Sequence, residues 1–146
     1  DTKDMVIDPR YYYYQTTMKN RELFRKDMII GCHTTAMDGY ERMKKYLTEH
    51  KEKPTALFLA SDIIAPGVLR AIREAGISIP EEISIISFNN TGLSEFADPP
   101  LSSIEVYMRE HASAAMTCLE LLWEGKTCSK KIVIPCELID RGSTSK

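Results

Sequence analysis

The sequence lacks the features that would place it in a membrane or on nucleic acid. No apolar run approaches the roughly 20 residues of a membrane-spanning helix, and the first residues do not resemble a secretory signal. Nineteen lysines and arginines are balanced by 21 aspartates and glutamates, giving a formal net charge of −2. Domains that grip a phosphate backbone usually carry a concentrated basic face. We therefore expect a cytoplasmic protein with no membrane partner, and a stretch of chain that does not itself hold DNA.

Cysteine is also scarce, and its spacing suggests no chemistry. The four cysteines are too few for a disulfide framework and have no zinc-type spacing; they are Cys32, Cys118, Cys128 and Cys136. We expect free thiols, with one disulfide left open, and we predict no metal and no cofactor. The candidates for catalysis are His33 beside Cys32, or His111, but no nucleophile, base and orienting group can be assembled from the local pattern. Neighbours such as Cys32 and His33 on an extended segment also point to opposite faces. The protein is therefore predicted not to be an enzyme.

The sequence does contain an alternation of helical and strand-like stretches. Helices are predicted over residues 10–23, 36–51, 63–75 and 108–123. Strands are predicted over 28–32, 56–60, 83–88 and 101–106, with a long loop over 89–100 and a last extended segment over 131–139. The apolar runs at 56–60 and 83–88 are typical of strands covered on both faces. Strands separated by helices pair in parallel, so the predicted fold class is α/β, an open parallel sheet with flanking helices.

Ligands of such sheets bind beyond the carboxyl ends of the strands. The segments that follow the predicted strands are rich in hydroxyls and amides, and they lie at residues 32–35, 61–62, 89–91 and 106–108. These groups both donate and accept hydrogen bonds, as recognition of a small neutral sugar requires. Plainer roles stay open at this point. Ser61 and Asp62 are also good helix caps, Asn89 is a good turn residue, and Arg10 suits a surface salt bridge.

Four separated motifs resemble the effector domain of the LacI/GalR family of transcriptional repressors. They are PTALFLASD at 54–62, ISFNN at 86–90, PPLSS at 99–103 and RGST at 141–144. The motifs occur in the family's order and spacing, and the resemblance runs from about residue 10 to residue 144. The residues of the second and third motifs are most similar to those of galactose-operon-type repressors.

The resemblance implies a type I periplasmic-binding-protein-like core, in which two subdomains hold the effector between them. It assigns residues 1–100 to the carboxy-terminal subdomain. Residues 101–125 become a crossover strand and helix of the amino-terminal subdomain, and residues 126–146 a return strand and tail. The implied function is a sugar-responsive repressor that acts as a homodimer and reaches operator DNA only through a headpiece missing from this chain. A sugar-binding receptor of a transporter shares this fold and is the alternative.

The resemblance also implies a set of effector-binding residues. The family's effector arginine falls at Arg10, and the position of its stacking aromatic falls at Thr34. The polar pair after the next apolar strand becomes Ser61 and Asp62, and the usual pair of aspartates after the following strand becomes Asn89 and an asparagine. These replacements remove an aromatic platform and charged acceptors, so we expect the identity or the affinity of the sugar to differ from better-known members.

One helix carries more apolar surface than a single buried stripe needs. The helix at 63–75 contains Ile64, Val68, Leu69 and Ile72. We expect part of this surface to pack against the same helix of a partner around a two-fold axis, and the family resemblance implies the same interface.

Overall fold

The computed structural model describes residues 8–129 and 131–145. The helices are α1 (Pro9–Asn20), α2 (Ala36–Glu49), α3 (Ala65–Glu74), α4 (Gly92–Glu95) and α5 (Met108–Trp123). The strands are β1 (Ala56–Phe58), β2 (Ser84–Phe88), β3 (Ser102–Glu105) and β4 (Glu137–Ile139), and short 3-10 turns occur at Lys26–Met28 and Asp62–Ile64. Within these described ranges, no helix is both long and apolar enough to cross a membrane.

The four strands form one sheet in the order β1-β2-β3-β4. β2 runs parallel to both β1 and β3, and β4 is antiparallel to β3. The sheet is therefore mixed rather than wholly parallel as predicted, because the last extended segment returns along the edge of β3. Pro135 lies just before that edge strand, where its missing N–H costs no ladder bond.

The core lies between one face of the sheet and the helix pair α2 and α3. Ile83 and Ile85 enter it from the sheet side, and Met43 and Ile72 from the helices. The prediction that both apolar strands are covered on both faces is wrong. Phe58 of β1 is 47% exposed and β2 alternates between buried and half-buried residues, because α2 and α3 both lie against the same face.

Two predicted segments differ from the structure. Residues 28–32 do not form a strand; the Lys26–Met28 turn occupies their start, and of the apolar run Ile30 packs against the core. The predicted long loop at 89–100 contains the short helix α4, which Thr91 caps by accepting a hydrogen bond from the Leu93 amide at 3.3 Å. The other predicted helices and strands are present with small differences at their ends.

The expectation of four free thiols is wrong for one pair. Cys118 in α5 and Cys128 form a disulfide with their Cα atoms 5.5 Å apart, while Cys32 and Cys136 are free and exposed. The chain returns on itself because Gly125 has a φ of 71° and its amide bonds to the Leu122 carbonyl at 3.1 Å, ending the helix.

β3 belongs to the same sheet as β1 and β2, and Leu101 just before it is fully buried in the core. α5 differs, since none of its residues is buried. The domain division with a boundary at residue 100 stays a prediction about the longer protein. However, β3, which follows that boundary, is hydrogen-bonded to β2, which precedes it.

Two glycines allow α2 to cross close to the start of α3. A Cβ added to Gly67 would lie 1.7 Å from the Ala36 carbonyl oxygen, and one added to Gly39 would lie 2.8 Å from the Ile64 carbonyl oxygen. Both contacts are with backbone, which cannot move aside as a flexible side chain can. The close crossing therefore places the start of α2 against the start of α3.

We predict that Gly67→Ala lowers the free energy of unfolding by about 3 kcal/mol or more, because overpacking against backbone forces the two helices apart. The matched control is Gly31→Ala, since a Cβ there meets nothing within 4 Å, and its effect should stay within about 0.5 kcal/mol. Urea unfolding of the two variants makes the comparison. Equal stability of the two would mean that the helices do not cross as closely as described.

Candidate functional site

Arg10 lies across the carboxyl ends of two neighbouring strands. Its guanidinium donates to the carbonyl of Ala60, just after β1, and its Cζ lies 4.9 Å from the ring centre of Phe88, the last residue of β2. Asp8 holds it there, accepting from Nε at 3.0 Å and from a terminal nitrogen at 2.5 Å. The side-chain bond between the two lowers the pKa of Asp8 and raises the pKa of Arg10. Arg10 is thus a cation held against Phe88, the residue that precedes Asn89 in the chain.

Asp62 is fully buried, and its two carboxylate oxygens accept three hydrogen bonds. One oxygen accepts from the amide of Thr91 at 2.6 Å and from its hydroxyl at 3.0 Å, and the other accepts from the Ser103 hydroxyl at 3.0 Å. The carboxylate therefore ties the start of α3 to the loop after β2 and to β3. The cap of the Asp62–Ile64 turn that leads into α3 is Ser61 instead, whose hydroxyl accepts from the Ile63 amide at 3.3 Å.

Asn89 and Asn90 continue the chain beyond β2 with positive φ angles of 101° and 49°. Asparagine is enriched in such conformations among residues with a side chain. The Asn89 amide bonds to the Ile104 carbonyl at 3.0 Å, which extends the pairing of β2 with β3. Within the part of the chain that the structure describes, no hydrogen bond engages the Asn89 side-chain amide. Asn89 is thus both a turn residue and a half-buried amide with free donors and acceptors.

Thr34 is exposed in the segment before α2. Its neighbour Thr35 caps that helix by accepting from the Asp38 amide at 3.2 Å. Because the start of α2 lies against the start of α3, Thr34 is on the same side of the sheet as Ser61. The described contacts do not join Thr34 to Arg10 or Asn89.

Sequence reasoning assigned no role to three residues of this edge, Phe88, Thr91 and Ser103, although Thr91 lay in the predicted segment 89–91. The ring of Phe88 lies under the guanidinium of Arg10, and Thr91 and Ser103 donate the hydrogen bonds that Asp62 accepts. The available signal was position alone, since Phe88 ends a strand and Thr91 follows directly after the asparagines.

The four residues predicted to face a partner are buried in the chain's own core. Ile64, Val68, Leu69 and Ile72 are all at most 7% exposed. The prediction is corrected on physical grounds, because α2 covers one flank of α3 and the sheet covers another. Of the four residues, Leu69 also lines a surface groove. The exposed side of α3 instead shares a groove with α4, lined among others by Pro66, Arg70, Arg73, Leu93 and Phe96.

We predict that Asp62→Ala lowers the free energy of unfolding by about 3 kcal/mol, because three donors lose a buried charged acceptor. Asp98→Ala is the control: its carboxylate lies on the surface and meets Arg73 at 3.1 Å, and an exposed pair contributes at most about 1 kcal/mol. Chemical denaturation measures both. A loss for Asp62→Ala no larger than that of the control would remove Asp62 from its anchoring role.

Comparison with known proteins adds independent information. A family model described as a periplasmic binding protein-like domain matches residues 1–144. The chain is 39% identical to the HTH-type transcriptional repressor CytR of Escherichia coli (strain K12) over 96% of its length, and 37% identical to the HTH-type transcriptional regulator GalR of Streptococcus thermophilus over 82%. It spans 36% of the length of each of these relatives.

A solved structure, the lactose repressor bound to the anti-inducer ONPF in an induced state, matches with a TM-score of 0.81 at 27% identity. The match covers 92% of this chain and 48% of that one. The fold and the curated relatives therefore agree on the class of protein that the chain resembles.

Proposed function

Because the chain belongs to the periplasmic-binding-protein-like domain family, in the form found in LacI-family repressors, we propose that it is the effector-binding region of a sugar-responsive transcriptional repressor. The observation that carries the proposal is the set of polar groups at the carboxyl edge of β1 and β2. Arg10 is fixed there between Asp8, Ala60 and Phe88, and the free amide of Asn89 follows directly.

The effector is a small neutral sugar, bound through paired hydroxyls. Arg10 offers a planar fork of donors, and Asn89 offers both a donor and an acceptor. Ser61 and Thr34 add hydroxyls on the flank formed by α3 and α2. Asp62 does not bind the sugar directly, since its oxygens already accept bonds from Thr91 and Ser103. Instead it positions the loop that carries Asn89.

The second wall of the site lies in the rest of a longer protein. The chain spans about a third of the length of its curated relatives, and α5 is an apolar helix whose large side chains are uncovered: Met116, Leu119, Leu122 and Trp123 are 55–93% exposed. α5 therefore belongs to the amino-terminal subdomain, while β3, hydrogen-bonded to β2, belongs to the carboxy-terminal one. This revises the predicted boundary by moving it from the start of β3 to the start of α5.

The role is binding rather than catalysis, in a cytoplasmic protein that contacts operator DNA through a headpiece outside this chain. The relatives are transcriptional regulators, which favours this function over a transporter's sugar receptor. Effector binding must stabilise one arrangement of the repressor more than another, since only unequal affinity shifts a conformational equilibrium.

The active form is a homodimer, and the groove between α3 and α4 is its interface. Phe96 is 85% exposed and Leu93 is 46% exposed, an unusual pair of apolar side chains on one surface. Arg70, Arg73 and Asp98 line the same groove, and Arg73 meets Asp98 at 3.1 Å. A surface that carries an apolar centre and both signs of charge is able to pair with a copy of itself.

We predict that Asn89→Ala in the longer protein lowers the affinity for the sugar about tenfold or more, because a hydrogen bond to a buried partner is lost. A thermal-shift screen with lactose, cellobiose and common monosaccharides first identifies the ligand, since a native-state ligand raises the melting temperature. Titration calorimetry then compares Asn89→Ala with Asn20→Ala, a change at the exposed end of α1. Equal affinities of the two variants would show that Asn89 is only a turn residue.

We predict that Phe96→Asp shifts the longer protein from dimer to monomer in sedimentation velocity, because a charge replaces the apolar centre of the groove. Met37→Asp is the control, since Met37 is also exposed but lies on α2 away from the groove. A Phe96→Asp variant as dimeric as the control would exclude this groove as the interface.

A further inference from the structure

Glu105, the last residue of β3, divides its two carboxylate oxygens between two different segments. One oxygen accepts from the side-chain amide of Asn90 at 2.7 Å, and the other accepts from the backbone amide of Tyr107 at 2.7 Å. The side-chain bond from Asn90 is the main reason that the pKa of Glu105 is lowered, so the group is an anion at neutral pH. A single charged side chain thus joins the loop after β2 to the residue that precedes α5.

Asn90 connects this carboxylate to a cation. Its carbonyl oxygen accepts from Arg141 at 2.8 Å, while its amide nitrogen faces Glu105. Arg141 also donates to the Leu101 carbonyl at 2.8 Å, which fixes its position at the start of β3. Because arginine only donates and a carboxylate only accepts, the direction of both hydrogen bonds of Asn90 is fixed. An aspartate at position 90 would bring a second carboxylate against Glu105.

Tyr107 holds α5 at an unusual backbone angle. It is the residue before the helix and has a φ of 48°, in the left-handed region that side chains disfavour. Its carbonyl accepts from the His111 amide at 3.1 Å, the first bond of the helix. No residue of α5 is buried, so the direction in which the helix leaves the sheet depends on Tyr107, whose hydroxyl also donates to Glu137 of β4.

We propose that Glu105 is a positioning residue that couples the Asn89–Asn90 loop to the start of α5, with Asn90 as the link to Arg141. A shift of the loop alters the bond that Glu105 accepts from Asn90, and Glu105 passes the change to the Tyr107 amide. The functional meaning rests on the proposed function, in which the loop contacts the sugar and α5 belongs to the other subdomain. The coupling itself requires neither sugar nor dimer.

The test reverses the polarity of the link. Asn90→Asp sets two carboxylates against each other, and Glu105→Gln turns a donor toward the donor of Asn90. In the double variant, the glutamine amide donates to the new aspartate, the aspartate accepts from Arg141, and the glutamine carbonyl still accepts from Tyr107. The double variant therefore restores all three bonds, and the donor is reversed only in the bond between residues 90 and 105.

The measurement is amide hydrogen exchange of the 146-residue chain by NMR, read in the first turns of α5 at residues 111–114. We expect each single variant to speed exchange there about tenfold, and the double variant to return it to within about twofold of the parent. Asn20→Asp and Glu81→Gln make the same chemical changes at exposed positions and should leave these amides unchanged.

Two results would overturn the coupling. In one, the single variants speed exchange in residues 89–91 and leave α5 as it was. In the other, the double variant exchanges at least as fast as the single variants. This criterion still applies if the single variants fail to fold, because it asks only whether the double variant recovers. Because the readout uses no sugar, either result leaves the proposed effector site standing, and a failure to bind sugar leaves this result unaffected.

Discussion

The buried carboxylate of Asp62 is the interaction on which the carboxyl edge of the sheet depends. Removing a charge from water costs several kcal/mol unless hydrogen bonds compensate, and here three donors do so. They come from Thr91 and Ser103, 29 and 41 residues further along the chain. The carboxylate therefore stays buried only while the start of α3, the loop after β2 and β3 are all in place. The site and the sheet therefore depend on the same hydrogen bonds.

The rest of the edge follows from that anchor and from close helix packing. Thr91, held by Asp62, fixes the far end of the segment whose two asparagines adopt left-handed angles. The glycines at positions 39 and 67 bring the start of α2 against the start of α3, which places the Thr34 segment on the same flank as Ser61. On the other side, Asp8 and Phe88 hold Arg10 over the strand ends. The polar groups proposed to meet a sugar are thus carried by the start of α1, the end of β2 and the segments that lead into α2 and α3.

Local signals in the sequence were enough for most of the fold. Asp8 and Pro9 correctly indicated the start of α1. The amphipathic pattern with Gly125 predicted the observed bounds of α5, Met108–Trp123. Local signals were not enough where the outcome depended on partners distant in sequence. The apolar run at 28–32 found no strand to pair with, and the last segment paired antiparallel because of where the chain returns.

The candidate site was predicted in position but not in all its roles. The rule that ligands lie at strand ends singled out Asp62 and Asn89, and only the structure distinguishes a carboxylate with every oxygen engaged from an amide that is free. The same limit explains the error over Val68 and its neighbours, because periodicity counts apolar residues without revealing which helix covers them. Phe96, the exposed apolar residue of the groove, lay in a segment predicted to be a loop.

The most direct test of this account is a crystal structure of the longer protein with its sugar bound. We expect Arg10 and Asn89 to contact sugar hydroxyls, and Asp62 to keep its bonds to Thr91 and Ser103 without touching the ligand. A sugar hydroxyl bonded to the carboxylate of Asp62, or a sugar bound away from the carboxyl edge of β1 and β2, would contradict it.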